Sequence, residues 1–339
     1  MKLTVLARMS CLVVCALVSA WAGVVLGEDQ PWVVYEGKQG PGVGKHLVFV
    51  TGDDEYRSEE GMPMLGRLLA ERYGFKCTVL FAIDPKDGTI KPDYQQNIPG
   101  THFLETADLM VLFTRFRNLP DEQMKPIVDF IHSGKPMIGL RTATHPFNYP
   151  GNSTSPYARF HWRSRSPEGG FGQLVFGDTW VSHHGNHGSQ STRGVINEAH
   201  AKHPVVQGCT DIWGPTDVYG IVHLPADAQV LVWGQVLAGM NPKDEPVEAK
   251  NNPMMPLAWV RQYSGETGKN SRVFFTTMGA SQDLLSPGLR RLLLNAVLWG
   301  LEMEGQIQAD SNVDIVGTYE PTRFGFGTYK KGLKPADFK

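Results

Sequence analysis

A short apolar stretch that ends in a polar turn constrains the fold of this chain more than any other feature. Residues 136–140 are apolar without alternation and follow a predicted helix that ends at Gly134. This pattern is typical of a strand buried on both faces of a parallel α/β sheet. Arg141, Thr142 and His145 follow directly. Because open α/β sheets bind ligands at the carboxyl ends of their strands, we predict that these side chains bind substrate.

The same turn limits the chemistry that can take place there. Small residues flank one presented side chain, which is the outline of the elbow that carries the nucleophile in many hydrolases. Arg141 holds that position, and a guanidinium stays protonated at ordinary pH, so it cannot act as a nucleophile. Binding of a polar ligand is one interpretation. The alternative is that Arg141 and His145 only pair with acidic residues at the edge of the sheet.

Two other predicted strands also end in charged residues. Residues 46–50 are followed by Asp53 and Asp54, and residues 107–114 are followed by Arg115. Parallel strands bring their carboxyl ends to one edge, so these side chains are expected to lie near the turn described above. The order of elements predicts an α/β protein of flavodoxin-like topology. It would have a central, mostly parallel sheet flanked by helices, with additional strands and an irregular C-terminal tail.

Segments around this core carry further structural predictions. Residues 30–44, which are rich in Pro and Gly, are expected to pack on the surface. Residues 171–176 are predicted to form a strand, and residues 256–261 and 272–278 a hairpin. Residues 287–299 repeat leucine at helical spacing and predict an amphipathic helix.

The N-terminus predicts the compartment. A positively charged start, an apolar core and small residues identify residues 1–27 as a secretory signal peptide, with cleavage near Gly27. A retained membrane anchor is the weaker alternative, because the unbroken apolar run is short of a membrane span. We therefore expect a secreted or periplasmic protein with no integral membrane segment after removal of the signal.

Charge and cysteine content bear on partners and redox state. The net charge of -2 gives no electrostatic reason to expect nucleic acid as a partner. Cys77 and Cys209 remain after removal of the signal, and they form either a disulfide or two buried free thiols. The sequence does not indicate an oligomeric state.

The densest histidine cluster of the chain lies between Trp180 and Gly188. His183, His184 and His187 are spaced closely enough to bind zinc or another divalent transition metal, and these three residues are the predicted metal ligands. A metal-free catalytic or sugar-contacting site is the second interpretation. The third is a set of structural or solvent-exposed histidines, since no compact zinc motif is matched.

Ordered segments, rather than one diagnostic motif, relate this chain to a known family: residues 46–55, 107–114, 137–147, 183–187, 217–219, 256–259, 272–279 and 295–301. In these segments the chain resembles the trehalose-utilisation (ThuA-like) family, within the class I glutamine-amidotransferase-like superfamily. The resemblance implies one domain over residues 45–305. A lead-in segment, residues 28–44, would precede it, and a C-terminal extension, residues 306–339, would pack on it.

The sequence departs from the family pattern where that pattern carries reactive groups. Related amidotransferases have Cys at the elbow and ThuA-like proteins more often have His, whereas this chain has Arg141. Family members often have Gly-His after the strand at residues 272–278, and this chain has Gly279-Ala280. No Cys-His-Glu triad can be assembled, so amidotransferase chemistry is not expected.

The resemblance to a family tied to disaccharide use implies, as the leading hypothesis, a protein that acts on a small-molecule carbohydrate, either a sugar or a keto-sugar. His184, His187 and Asp53 are the predicted catalytic residues, because imidazoles and carboxylates suit acid–base work on a sugar. One alternative is a non-catalytic carbohydrate-binding or interaction module, which the lost reactive groups favour. Another is a metal-dependent hydrolase that uses residues 183–187. The predicted substrate-binding residues are Asp54, Arg115, Arg141, Thr142, His145, Asp217 and Tyr219.

Overall fold

The computed structural model describes residues 30–339, so the predicted signal peptide lies outside the described residues. Three α-helices occur in this part of the chain: α1 (Ser58–Tyr73), α2 (Asp121–Ile131) and α3 (Pro287–Gly300). The strands are β1 (Trp32–Glu36), β2 (His46–Gly52), β3 (Lys76–Leu80), β4 (Leu109–Thr114), β5 (Met137–Leu140), β6 (Ser182–His183), β7 (Thr192–Ile196), β8 (Trp213–Gly214), β9 (Tyr219–Gly220), β10 (Gln229–Val236), β11 (Met255–Ser264) and β12 (Asn270–Thr276).

One large sheet organises residues 30–339, with the strand order β1-β3-β2-β4-β5-β12-β11-β10-β7-β8. The pairs from β3 to β12 in this order are parallel, and the remaining pairs are antiparallel. Numbered along the chain, the five parallel strands have the order 2-1-3-4-5, which is the flavodoxin-like order. The predicted fold class is confirmed. The predicted hairpin is also confirmed, as β11 pairs with β12.

The central strands are buried on both faces. Successive side chains of a strand point to opposite sides, and here each side packs into its own apolar cluster. In β2, Leu47 and Phe49 belong to the core cluster that contains the apolar side chains of α1 and α3. Val48 and Val50 belong to the other cluster, which contains those of α2. Burial of each such side chain contributes about 1.5–3 kcal/mol to the stability of the fold. This two-sided burial is the reason for the apolar runs without alternation.

The lead-in and one predicted strand differ from the sequence-based expectation. Within residues 30–44, β1 pairs with β3 in antiparallel fashion and extends the sheet, instead of only packing on its surface. Residues 172–176 form a short π-helix rather than a strand. Its Gly172 lies so close to the turn after β5 that a Cβ atom would come within 1.9 Å of the carbonyl oxygen of Thr144. This close approach requires glycine and holds the helix against the turn.

The parallel register brings the strand ends to one edge. Gly52, the last residue of β2, is aligned with Thr114, the last residue of β4. Cys77 and Cys209 are both buried and free. Among residues 30–339, no helix is both long enough and apolar enough to cross a membrane.

Candidate functional site

The loop after β2 is shaped by Asp53. Its Oδ1 atom accepts hydrogen bonds from the backbone N–H groups of Glu55 at 2.7 Å and Tyr56 at 2.5 Å. Its Oδ2 atom accepts one from the hydroxyl of Thr142, in the turn after β5. Burial, and then the charge of Asp54, raises the pKa of the Asp53 carboxyl. Asp53 is fully buried, so the structure gives it and Thr142 the role of joining two loops rather than contacting a substrate.

Arg141 occupies the turn after β5 in a left-handed conformation, with φ 41°. Such a conformation costs a non-glycine residue about 1–3 kcal/mol and persists where the surroundings hold it. The guanidinium lies between the rings of Tyr56 and Tyr219, at 4.0 and 4.5 Å from their centroids. It donates to the carbonyl oxygens of Asp217 at 3.0 Å and Thr277 at 2.8 Å. Arg141 is completely buried, and this corrects the expectation that it contacts a ligand directly.

Asp217 connects two of the predicted histidines. Its Oδ2 atom accepts from Nδ1 of His183 at 2.6 Å, and its Oδ1 atom accepts from Nδ1 of His187 at 2.8 Å. Arg141 lies 3.4 Å from the same carboxylate. Burial alone would raise the pKa of Asp217, but the hydrogen bonds from both histidines hold it well below its usual range. Asp217 is therefore an ionised, buried anchor.

Glu55 extends this network on the other side of His187. Nε2 of His187 lies 3.2 Å from Oε1 of Glu55. The hydrogen bonds to Asp217 and Glu55 raise the pKa of His187 to about 9, so its imidazole is charged at neutral pH. Burial would raise the pKa of Glu55, yet the hydrogen bond from His187 and the charge of Arg115 lower it. Glu55 is therefore a carboxylate at neutral pH.

A cavity of about 250 Å³ lies above this network. Its polar lining includes Glu55, His183 and Arg115. His145 also lines the cavity, and burial lowers its pKa well below the usual value, so that its imidazole is neutral. Aromatic rings form much of the remaining wall: Tyr56, Phe116, Trp162, Trp180 and Tyr219.

Arg115 is held in place from two sides. Its guanidinium donates to Oδ1 of Asp54 at 3.0 Å and lies over the ring of Phe116 at 4.5 Å. Its Nε atom lies 3.8 Å from Oε2 of Glu55. The arginine thus reaches the cavity beside a carboxylate, while Asp54 serves to orient it.

The structure does not bring His184 into this cluster. Its Nε2 atom lies 2.6 Å from the carbonyl oxygen of Lys250, and its backbone N–H donates to Val218. Neighbouring side chains along an extended segment point to opposite sides, so His183 at the end of β6 faces Asp217 while His184 turns away. His184 therefore lies outside the cluster, and this corrects the expectation that it is a catalytic residue and a metal ligand.

Sequence reasoning missed several residues of the site. Glu55 and Tyr56 belong to the polar loop that begins with Asp53, and their proximity to Asp53 was the available signal. Phe324 packs against His187, with 5.4 Å between ring centroids, and no local pattern connects residues so far apart in the chain.

His183, His187 and Asp217 could together hold a metal ion, since one ligand atom from each lies within 4.8 Å of the others. Two imidazoles and a carboxylate are ligands that zinc accepts. These three residues would hold such an ion, and in its absence Asp217 accepts hydrogen bonds from both histidines. The donor set fits a metal, although Arg141 already supplies one positive charge to the same carboxylate.

Comparison with known proteins places the chain in a family. Residues 45–300 match the ThuA family model, whose description is trehalose utilisation. The chain belongs to the ThuA family. Its match covers the parallel strands and all of the side chains of the network described above. No curated protein matches this chain.

Several solved structures are similar to this ThuA-family chain. A ThuA-like protein from Parabacteroides merdae is 14% identical, with a TM-score of 0.46, over 83% of this chain and 97% of that one. SMU.1228c is 11% identical, with a TM-score of 0.36, over 71% and 80% of the two chains. The mmIFT52 N-terminal domain is 9% identical, with a TM-score of 0.37, over 76% and 97%.

Proposed function

We propose that this ThuA-family protein is an enzyme that binds one ring of a sugar or keto-sugar in the cavity and transfers protons to and from it. The observation that carries the proposal is the pair of Glu55 and His183, which line one aromatic cavity and are joined through His187 and Asp217. The family description, trehalose utilisation, supports a sugar as the substrate class.

The lining of the cavity suits a sugar ring. Trp162, Trp180 and Phe116 offer apolar faces, and aromatic side chains pack well against the C–H face of a sugar. Arg115 and Glu55 offer a donor and an acceptor for hydroxyl or carbonyl oxygens. The volume of about 250 Å³ is below the roughly 300–1,000 Å³ of pockets for drug-sized ligands, which favours a single ring.

Glu55 is the proposed general base. Its lowered pKa keeps it ionised at neutral pH, and it faces the cavity beside Arg115. In a keto-sugar it would take the proton from the carbon next to the carbonyl group, and the Arg115 guanidinium would stabilise the negative charge that forms on the carbonyl oxygen. The same carboxyl group would then return the proton to the former carbonyl carbon, and His183 would move the proton of the neighbouring hydroxyl to the former carbonyl oxygen, which completes an isomerisation.

His183 is the proposed second proton-transfer group. Its Nδ1 proton is donated to Asp217, which leaves Nε2 for a substrate hydroxyl. Arg141 and His187 hold the Asp217 carboxylate in position. These three residues therefore position the reacting groups without contacting the substrate.

A titration tests this proposal. The mature protein is titrated with glucose, trehalose and their keto derivatives, and both binding and product formation are followed. Turnover of at least one sugar, lost in Glu55→Gln and retained in His184→Ala, is the expected result. Binding without turnover would show a non-catalytic carbohydrate-binding module instead. Failure to bind any of these sugars would overturn the proposal.

Metal-assisted hydrolysis is the second candidate, favoured by the closeness of the ligand atoms of His183, His187 and Asp217. A bound zinc ion would supply Lewis-acid activation of a water molecule or a substrate oxygen. Elemental analysis of protein purified without chelators or a His tag decides between the two. About one metal ion per chain, lost in His187→Ala and kept in His184→Ala, would establish this second candidate.

Secretion is part of the proposed role, because a signal peptide at residues 1–27 would place the enzyme where it meets external sugars. N-terminal sequencing of the exported protein tests this point. A new N-terminus near Glu28 is the expected result, and an intact Met1 in the exported protein would contradict it.

A further inference from the structure

A segment near the C-terminus is fastened to the loop that carries Glu55. The segment, residues 322–328, lies beyond the family match, which ends at residue 300. Gly325 in this segment donates its N–H to the carbonyl oxygen of Glu55 at 2.7 Å. The guanidinium of Arg57 donates to the carbonyl oxygen of Gly325 at 2.8 Å. These two hydrogen bonds fix the segment at the site from both sides of its backbone.

Other contacts anchor the beginning of the segment. Thr322 donates its N–H and its hydroxyl to the carboxylate of Glu60 at 2.7 and 2.6 Å. Its carbonyl oxygen accepts from the hydroxyl of Ser281 at 3.0 Å. Arg323 donates to the carbonyl oxygen of Gly188, in the loop between β6 and β7. The segment is thus held by α1, by the loop after β12 and by the loop between β6 and β7.

The two phenylalanines that flank Gly325 differ in burial. Gly325 has φ 144°, a conformation that favours glycine. Phe324 is buried, with its ring 5.4 Å from that of His187 and 5.7 Å from that of Tyr56. Phe326 is 59% exposed. The first ring fills the space behind the network, and the second is presented to solvent.

The exposed ring lies beside the cavity. The guanidinium of Arg115 lies 4.8 Å from the centroid of the Phe326 ring, and Arg115 itself lines the cavity. Among the Phe, Tyr and Trp side chains of residues 30–339, Phe326 is the only exposed one. Single exposed apolar residues are common on protein surfaces. This one differs because its backbone is fixed and its ring stacks on a cavity residue.

We infer that Phe326 and Arg115 form an outer subsite that binds the second ring of a disaccharide or glycoside whose first ring occupies the cavity. This inference rests on the proposed function. The cavity has room for one ring, so a second ring must lie at its rim. There Phe326 offers an apolar face and Arg115 offers N–H donors for hydroxyl groups. The subsite makes the chain selective for substrates of two rings.

Binding of glucose and of trehalose to four proteins tests the inference by calorimetry. The variants are Phe326→Ala, Phe326→Tyr and the control Val43→Ala, which removes an exposed apolar side chain at the amino-terminal side of β2. We expect the wild type and the Val43→Ala control to bind trehalose more tightly than glucose. Phe326→Ala should weaken trehalose binding about 3- to 10-fold and leave glucose binding unchanged, since a ring-on-ring contact has this strength. Phe326→Tyr should keep the trehalose affinity, because it keeps the ring.

The outcomes separate this inference from the proposed function. Equal weakening for both sugars, or no weakening for trehalose, would overturn the outer subsite and leave the sugar cavity in place. If the wild type bound neither glucose nor trehalose, nor their keto derivatives, the proposed function would fail and the outer subsite with it. Because Phe326 is exposed, its replacement leaves the core intact, and a thermal melt of each variant checks this.

Discussion

Nδ1 of His187 lies 2.8 Å from Oδ1 of Asp217, and this hydrogen bond is the centre of the site. It links the loop after β6 to the segment before β9. Nε2 of the His187 ring also contacts Glu55, so the ring connects these two segments to the loop after β2. A doubly hydrogen-bonded imidazolium between two carboxylates keeps both of them ionised. The state of His187 therefore controls the proposed base.

The substitution Asp217→Asn tests the cause of the raised pKa of His187. The mutation removes the hydrogen bond that contributes most to the shift, so the pKa should fall from about 9 toward the ordinary value near 6.5. An NMR titration of the His187 ring measures this. The ring signals of His223, which pairs with Asp178 instead, should keep their wild-type positions at one fixed pH and so show that the variant keeps its fold. A His187 pKa that stays near 9 would show that Glu55 alone is sufficient.

The same shift predicts a dependence of stability on pH. His187 has a higher pKa folded than unfolded, so its contribution is complete below about pH 6.5 and is lost as the pH rises through about 9. The free energy of unfolding should therefore fall more steeply over this interval in the wild type than in His187→Gln. Urea unfolding at pH 6, 7.5 and 9 measures both. Parallel curves would contradict the assignment.

Glu59 gives a second, independent pH effect. It is buried in the first turn of α1, and burial raises its pKa to about 8. The unfolded carboxyl releases its proton near pH 4.5 whereas the folded one holds it to about pH 8, so this group lowers stability as the pH rises between these values. Glu59→Gln should be more stable than the wild type at pH 8, by a Tm difference on the order of 2–4 °C, and similar at pH 4.5.

The exposed Glu122, in the first turn of α2, is the matched control for this experiment. Glu122→Gln should change the Tm at pH 8 by less than Glu59→Gln does, because the Glu122 side chain is exposed and its replacement removes no buried group. A Tm of Glu59→Gln below that of the wild type at pH 8 would mean that the buried carboxylate is stabilised by Arg57, which lies 3.6 Å away.

Glu55→Gln should reduce kcat about 10²- to 10⁴-fold on any sugar that the wild type turns over, because this is the usual contribution of a general base. The amide keeps the size of the side chain but cannot accept the proton. KM should change little, since the cavity walls remain. Steady-state kinetics measure both constants. An increase in KM with an unchanged kcat would make Glu55 a binding residue only.

The edge at which the site forms could be predicted from sequence. Three apolar strands without alternation are followed by Asp53, Arg115 and Arg141, and parallel topology requires the strand ends to meet. The burial of each side chain could not be predicted. Arg141 lies beneath the cavity because two tyrosines and two carbonyl groups enclose it, and these come from three separate segments.

The sequence also could not predict which histidines contact Asp217, or that residues 322–328 lie at the site. His183 and His184 are adjacent residues of the same type, and the sequence does not show which imidazole faces Asp217. The orientation of β6 decides this. Phe324 contacts His187 and Phe326 contacts Arg115, and both pairs are far apart in the sequence. Such contacts produce no periodic pattern that could predict them.

The substitution Arg141→Met tests whether the buried guanidinium supports the network. It keeps much of the side-chain volume but leaves the Asp217 carboxylate without its arginine and two carbonyl oxygens without their donor. Removing one partner of a buried ion pair costs about 3–5 kcal/mol, so the free energy of unfolding should fall by this amount. Arg163→Met, which alters an exposed arginine on the cavity wall and removes only its contact with the Trp162 ring at 4.1 Å, should change it by at most about 1 kcal/mol. Chemical denaturation of the three proteins measures the difference. Equal stability of Arg141→Met and the wild type would show that the two tyrosine rings and the histidines hold Asp217 without the arginine.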